Sequence, residues 1–194
     1  TSEFEQSKTG LYTYATIKNI KIKTLFSYLN TQAVRIESPI NKVELFGAPL
    51  TVGATYVTDT DGVNDAVTGA TRSAETVYGV DVGLPISDTF TPYAEIASIE
   101  DRGNGFSTGF LGKVGTVDYR AEYRYLEAGF VPGYFSPTYE ATSFDFDTDS
   151  LTEVVSGILV SAETSQVNGN VLAGAQYELY DDVNRLTAAV GWKN

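Results

Sequence analysis

Four charged side chains stand at every second position of the run TVDYRAEYRYLE, between Thr116 and Glu127: Asp118, Arg120, Glu122 and Arg124. Two carboxyl groups on one side of an extended chain are the minimum for general acid-base work, in which one takes a proton and the other gives it. Arginine alternates with them here, so the four are expected to neutralise one another in one crowded row. No nucleophile and base stand together in the run. The chain has no Cys and no His, which removes thiol chemistry, disulfides, His-ligated metals and every triad built on imidazole. No enzymatic activity is expected.

Two acidic runs offer alternate carboxylates to a hard cation: DTDGVND, with Asp59, Asp61, Asn64 and Asp65, and DFDTDS, with Asp145, Asp147 and Asp149. The second supplies the candidate Ca²⁺ ligands, and no other cofactor is expected. Neither run completes the twelve-residue calcium loop: Ser150 stands where that pattern wants Gly, and no Glu follows at its last position. Both read as solvated acidic loops. The run GNGFSTG, from Gly103 to Gly109, lacks the Lys and the following helix of a phosphate loop, and it reads as a turn entering a strand.

The element that must position the four charges is a strand. Val117, Tyr119, Ala121, Tyr123 and Tyr125 fall on the side opposite to them, a period of two. The run is about ten residues long, nearer the nine to eleven of a tilted membrane-crossing strand than the five or six of a soluble sheet. The same two-sided arrangement recurs along the chain. Around Asn19, LYTYATIK and IKIKTLFSY form a hairpin or one long bent strand, with Lys21 and Lys23 on the polar side. AVRIE is a weaker segment that ends at Ser38 and Pro39, since Pro fits an edge or a turn. KVELF, with Glu44, leads through Gly47 and Pro49 into LTVGATYV, where Thr51, Gly53 and Thr55 are expected to leave open space on the inner side. TVYGVDVGL, FTPYAEIAS, TEVVSGILVSAE, VLAGAQYELY and RLTAAVGWK follow, and Asn168-Gly169 marks a hairpin turn between two of them.

Long loops are expected at about 58–74 and 128–150, the second rich in aromatics around Tyr134, Phe135 and Tyr139. From Leu50 onward the connections tend to alternate: long after Val57, short after Leu84, intermediate after Ile99, tight at Gly115 and longest after Glu127. Tyr56, Tyr78, Phe90, Tyr123, Tyr125, Tyr177 and Trp192 lie mostly near strand ends on the apolar side, where interfacial girdles sit. Residues 1–194 read as a single domain, and no segment approaches the roughly eighteen consecutive apolar residues of a membrane helix. The chain has no Met, begins TSEFEQSKTG and shows no apolar signal segment, so it reads as a mature or excised portion of a longer product. Its 13 basic and 25 acidic residues give a net charge of -12, which argues against a nucleic-acid partner and against adhesion to an anionic surface.

In its dyad repeats, TVYGVDVGLP, VDYRAEYRYL, VLAGAQYELY and RLTAAVGW, the chain from Leu50 to Trp192 resembles the bacterial outer-membrane β-barrel, porin-like proteins. It departs from them where Lys193 and Asn194 follow Trp192, because such barrels commonly end in an aromatic residue. The resemblance implies an all-β, antiparallel up-and-down transmembrane barrel of about ten to twelve strands, with eight the lower bound, placed in a bacterial outer membrane. A lipid bilayer would surround it, and a homo-oligomer or an envelope partner stays open. Asp81, Glu95, Asp118, Arg120, Glu122, Arg124 and Glu178 would then line the lumen, and Tyr78, Tyr123, Tyr125, Tyr177 and Trp192 would form the lipid-facing girdle. Three functions fit: a porin-like channel for ions or small solutes, a structural barrel anchoring an envelope or surface-layer assembly, and a soluble β-barrel or sandwich that binds a ligand or glycan.

Overall fold

A computed structural model describes residues 10–27, 31–60, 63–64, 71–72, 74–132, 151–167, 171–181 and 183–192. Among them there is no helix. The chain forms β1 (Gly10–Ile17), β2 (Ile20–Ser27), β3 (Thr31–Leu45), β4 (Ala48–Asp59), β5 (Val63–Asn64), β6 (Thr71–Arg72) and β7 (Thr76–Gly83). It continues with β8 (Thr91–Ile99), β9 (Gly103–Val114), β10 (Val117–Leu126), β11 (Val155–Val167), β12 (Val171–Tyr180) and β13 (Val183–Trp192). All but β5 and β6 join one antiparallel sheet of eleven strands in the order β1-β2-β3-β4-β7-β8-β9-β10-β11-β12-β13. Each strand of this sheet pairs with the next one of the sheet along the chain, β4 with β7 across the intervening β5 and β6, so the sheet is up-and-down throughout. The expected closed barrel is not formed: among the described residues β1 and β13 are free edges. Since directions alternate along an odd number of strands, these two edges run the same way.

Turn chemistry explains one rim. Two-residue links join β1 to β2 at Lys18-Asn19, β3 to β4 at Phe46-Gly47 and β9 to β10 at Gly115-Thr116. Phe46 and Gly47 both take positive φ, 53° and 78°, the backbone that matches a hairpin turn to the strand twist. Both longest connections, between β4 and β7 and between β10 and β11, leave from the opposite rim. That rim also has short ones. The connection after Ile99, expected to be intermediate, is three residues, because Asp101 takes a left-handed φ of 55° and folds the chain straight into Gly103.

Three further boundaries differ from expectation. β3 does not stop at Pro39 but pairs it with Thr51 and runs on to Leu45 through an irregularity between Ile40 and Glu44. The last β3 residue paired with β2 is Glu37, opposite Lys21, so among the described residues β3 has no neighbour on that side beyond it, a place where Pro is tolerated. GNGFSTG is not a turn; Gly103 to Gly109 are already ladder residues of β9. β4 extends to Asp59, and β5 and β6 form a separate small hairpin inside the loop expected over 58–74.

Candidate functional site

Directly opposed residues of adjacent strands share a face, and successive residues alternate between faces. Traced through the registers, one face carries Ile22, Ile36, Ala54, Val80, Ile96, Phe106 and Tyr125 in a single row across β2 to β10. No Lys, Arg, Asp or Glu occupies any register-paired position on that face. Tyr78 sits there opposite Tyr56, Tyr125 opposite Phe106, Tyr123 opposite Ile158 and Tyr177 opposite Leu186, and all four tyrosines are exposed. Toward the tight-turn rim, Phe90 and Phe110 approach to 5.6 Å between ring centroids, and Tyr119 meets Phe110 edge-on at 6.3 Å. Trp192 pairs with Val171 in the ladder, but its side chain lies outside the described residues.

The other face is organised in rows of charge. The first crosses β2 to β12 as Lys21, Glu37, Gly53, Asp81, Glu95, Ser107, Arg124, Gly157 and Tyr180. The next, two residues nearer the tight turns, is Tyr93, Gly109, Glu122, Leu159, Glu178 and Arg185. Below it stand Arg120, Ser161, Gln176 and Thr187, and then Lys113, Asp118 and Glu163. The seven expected lumen residues, Asp81, Glu95, Asp118, Arg120, Glu122, Arg124 and Glu178, all stand in these rows.

Glycines let these side chains meet across an intervening strand. Arg35 of β3 reaches Asp81 of β7 with two hydrogen bonds, 2.6 and 3.0 Å, and donates to Thr55 at 2.8 Å. A Cβ on Gly53 would lie 2.5 Å from Asp81 Oδ2 and 2.7 Å from Arg35 Nη2. The open space expected at Gly53 is therefore filled by this ion pair. Tyr93 of β8 donates its hydroxyl to Glu122 of β10 over Gly109, and Arg124 of β10 donates to the Tyr180 hydroxyl of β12 at 3.2 Å over Gly157. Arg124 also pairs with Glu122, and Glu178 accepts from Arg185 Nε at 2.6 Å. Glu122 and Glu178 are each only 4% exposed, and such buried carboxylates require partners of this kind. Lys21 pairs with Glu37 at 3.1 Å and Lys113 with Asp118 at 3.1 Å. Among the described residues Arg120 and Glu95 form no ion pair.

At the long-loop rim this charged face gains a small apolar core. The chain after β10 folds back so that Phe130 packs with Ile99 and Leu126, beside Val77, Ala97, Val131 and Leu151. A Cβ on Gly105 would strike the Phe130 ring. Acidic charge gathers in the connections of the same rim: residues 59–75 and 127–154 hold ten carboxylates and one base, Arg72. Asp145, Asp147 and Asp149 lie outside the described residues, as do Tyr134, Phe135 and Tyr139. Among the described residues no group of three acidic side chains converges to hold a metal ion.

Arg35, Glu37, Tyr93, Tyr180 and Arg185 complete the network without having been among the expected lumen residues. Their signal was present: Arg35 and Glu37 alternate with Val34 and Ile36, and Arg185 precedes Leu186 in RLTAAVGW. No protein family, curated protein or solved structure matches the chain.

Proposed function

We propose that the sheet is the wall of a bacterial outer-membrane β-barrel, and that its charged face lines a channel for ions or small solutes. The supporting observation is an inversion of exposure. A soluble antiparallel sheet hides its apolar face and wets its polar one. Here the uncharged face is the open one, with Val80 62%, Leu186 72% and Val190 80% exposed, while the charged face contains the buried Glu122 and Glu178. Hydrocarbon is the surrounding that satisfies the first face, and a narrow polar lumen satisfies the second. Hydrocarbon also offers no hydrogen-bond partner, so this reading requires the backbone groups along β1 and β13 to be paired in the membrane.

Single-channel recording of the refolded protein in a planar bilayer, under a salt gradient, tests the proposal. Discrete conductance steps are expected, and the reversal potential reports ion preference. A second reading, a plugged barrel with a structural role, is favoured by Phe130 seated on the charged face and by the ion pairs Arg35–Asp81 and Arg124–Glu178, each of which bridges three strands. Protein that inserts and runs as a heat-modifiable band yet stays silent would establish that reading instead.

A further inference from the structure

On the charged face, one row departs from its neighbours. Arg35, Arg124 and Arg185 each hold a carboxylate. Arg120 is exposed and, among the described residues, makes neither an ion pair nor a hydrogen bond; Glu95, two strands away on the side opposite β11, acts on it only at longer range. Level with Arg120, on the three following strands, stand Ser161, Gln176 and Thr187. Among the described residues none of these three side chains is hydrogen-bonded either. Adjacent strands lie about 4.8 Å apart, so one guanidinium and three neutral polar groups extend in a line over about 14 Å. All four line one recess of about 530 Å³.

We infer that this row binds a monoanionic polyol, a hydroxy-carboxylate of the sugar-acid type. A free guanidinium presents a planar fork of donors that matches a carboxylate in two parallel bonds. The hydroxyls of Ser161 and Thr187 and the amide of Gln176 both donate and accept, which is what a chain of alcohols needs at successive carbons. The charge of the solute is limited by what lies one row away. Asp118 is neutralised by Lys113, but among the described residues Glu163 has no ion pair, and it faces the same recess. A second negative charge on the solute would meet it, so a single carboxylate fits best. The inference rests on the charged face being a lumen wall, and the recess is the place along it where hydrogen-bonding groups remain unspent.

D-Gluconate is the probe, titrated calorimetrically into the full chain refolded in detergent, with acetate supplying the carboxylate alone and sorbitol the alcohols alone. Gluconate is expected to bind at least about tenfold more tightly than either, because both parts of the row must be engaged. Arg120→Gln should weaken binding about tenfold or more, and Gln176→Ala about two- to tenfold, the range for a charged and a neutral hydrogen bond. Arg120→Lys keeps the charge, guards against a folding defect and should recover only part of the loss. Lys18→Asn, at a tight turn of the rim, should leave binding unchanged. Acetate binding as well as gluconate, or Arg120→Gln binding like the parent, would overturn the site. Single-channel recording on the same preparation separates the two proposals. Conducting protein that does not bind gluconate removes the site and keeps the pore, whereas silent protein that binds it removes the pore and keeps the site.

Discussion

Tyr123 and Glu122 are neighbours in β10 and obey opposite rules. Tyr123 is exposed on a face that carries no charge at any register-paired position; Glu122 is buried on the charged face, where Arg124 of its own strand and Tyr93 of β8 answer it. The uncharged face shows one regularity, absence of charge, and varies in which apolar residue fills a place: Val80 lies between Ala54 and Ile96, and Tyr177 between Val160 and Leu186. The charged face depends on particular pairs, and on glycines that give those pairs room. One face is therefore fixed by composition and the other by arrangement.

The comparison is most severely tested at Glu122. Glu122→Ala takes from Arg124 its nearest carboxylate and from the Tyr93 hydroxyl its acceptor, and should lower stability by about 3–5 kcal/mol, read as a fall in the urea midpoint of the protein folded in vesicles. Charge on the other face should come next. Val80→Arg is expected to destabilise by about 2–4 kcal/mol, and normal assembly of that variant in liposomes would show that this face does not meet lipid. Filling a glycine gap is third. Gly53→Ala pushes its methyl against Asp81 and Arg35 and should cost about 1–3 kcal/mol, whereas Ala54→Val beside it on the uncharged face should cost less. An equal loss at both positions would mean that the glycine gaps carry no special role. The smallest effect on stability belongs to Glu95→Gln, which breaks no ion pair and should shift the midpoint by no more than about 0.5 kcal/mol. Its effect should instead be on ion preference, measured as a displaced reversal potential in a salt gradient.

Much of this was legible in the residue order. A period of two needs no tertiary information, so the faces of β7, β10, β12 and β13 follow directly from TVYGVDVG, VDYRAEYRYL, VLAGAQYELY and VNRLTAAVGW. What the order hides is contact between strands that are not neighbours. Nothing in GNGFSTG marks Gly109 as the place where Tyr93 passes to Glu122, or Gly105 as the seat of Phe130, because both depend on registers fixed by turns on either side. AVRIE looked weak because it was cut at Pro39; with β3 continued to Leu45, Arg35 and Glu37 fall into line with Thr55 and Gly53. The tight link at Asp101 was obscured because a left-handed Asp leaves no mark that a loop Asp would not. Closure was overestimated for a different reason. Alternation describes each strand alone, and whether the first meets the last is a property of their number and curvature.

That number is odd. Every seam in the sheet joins strands of opposite direction, yet the two unsealed margins point alike, so they cannot be zipped together in the pattern used everywhere else. Apposing a second copy turned about the barrel axis would bring like directions together again. An all-antiparallel cylinder has an even tally of staves, so if the proposed barrel forms, the eleven described strands would need an odd complement, entering against the direction of both margins. In this respect the described sheet has a polarity that no single strand shows: a further antiparallel strand could join either margin with one heading only.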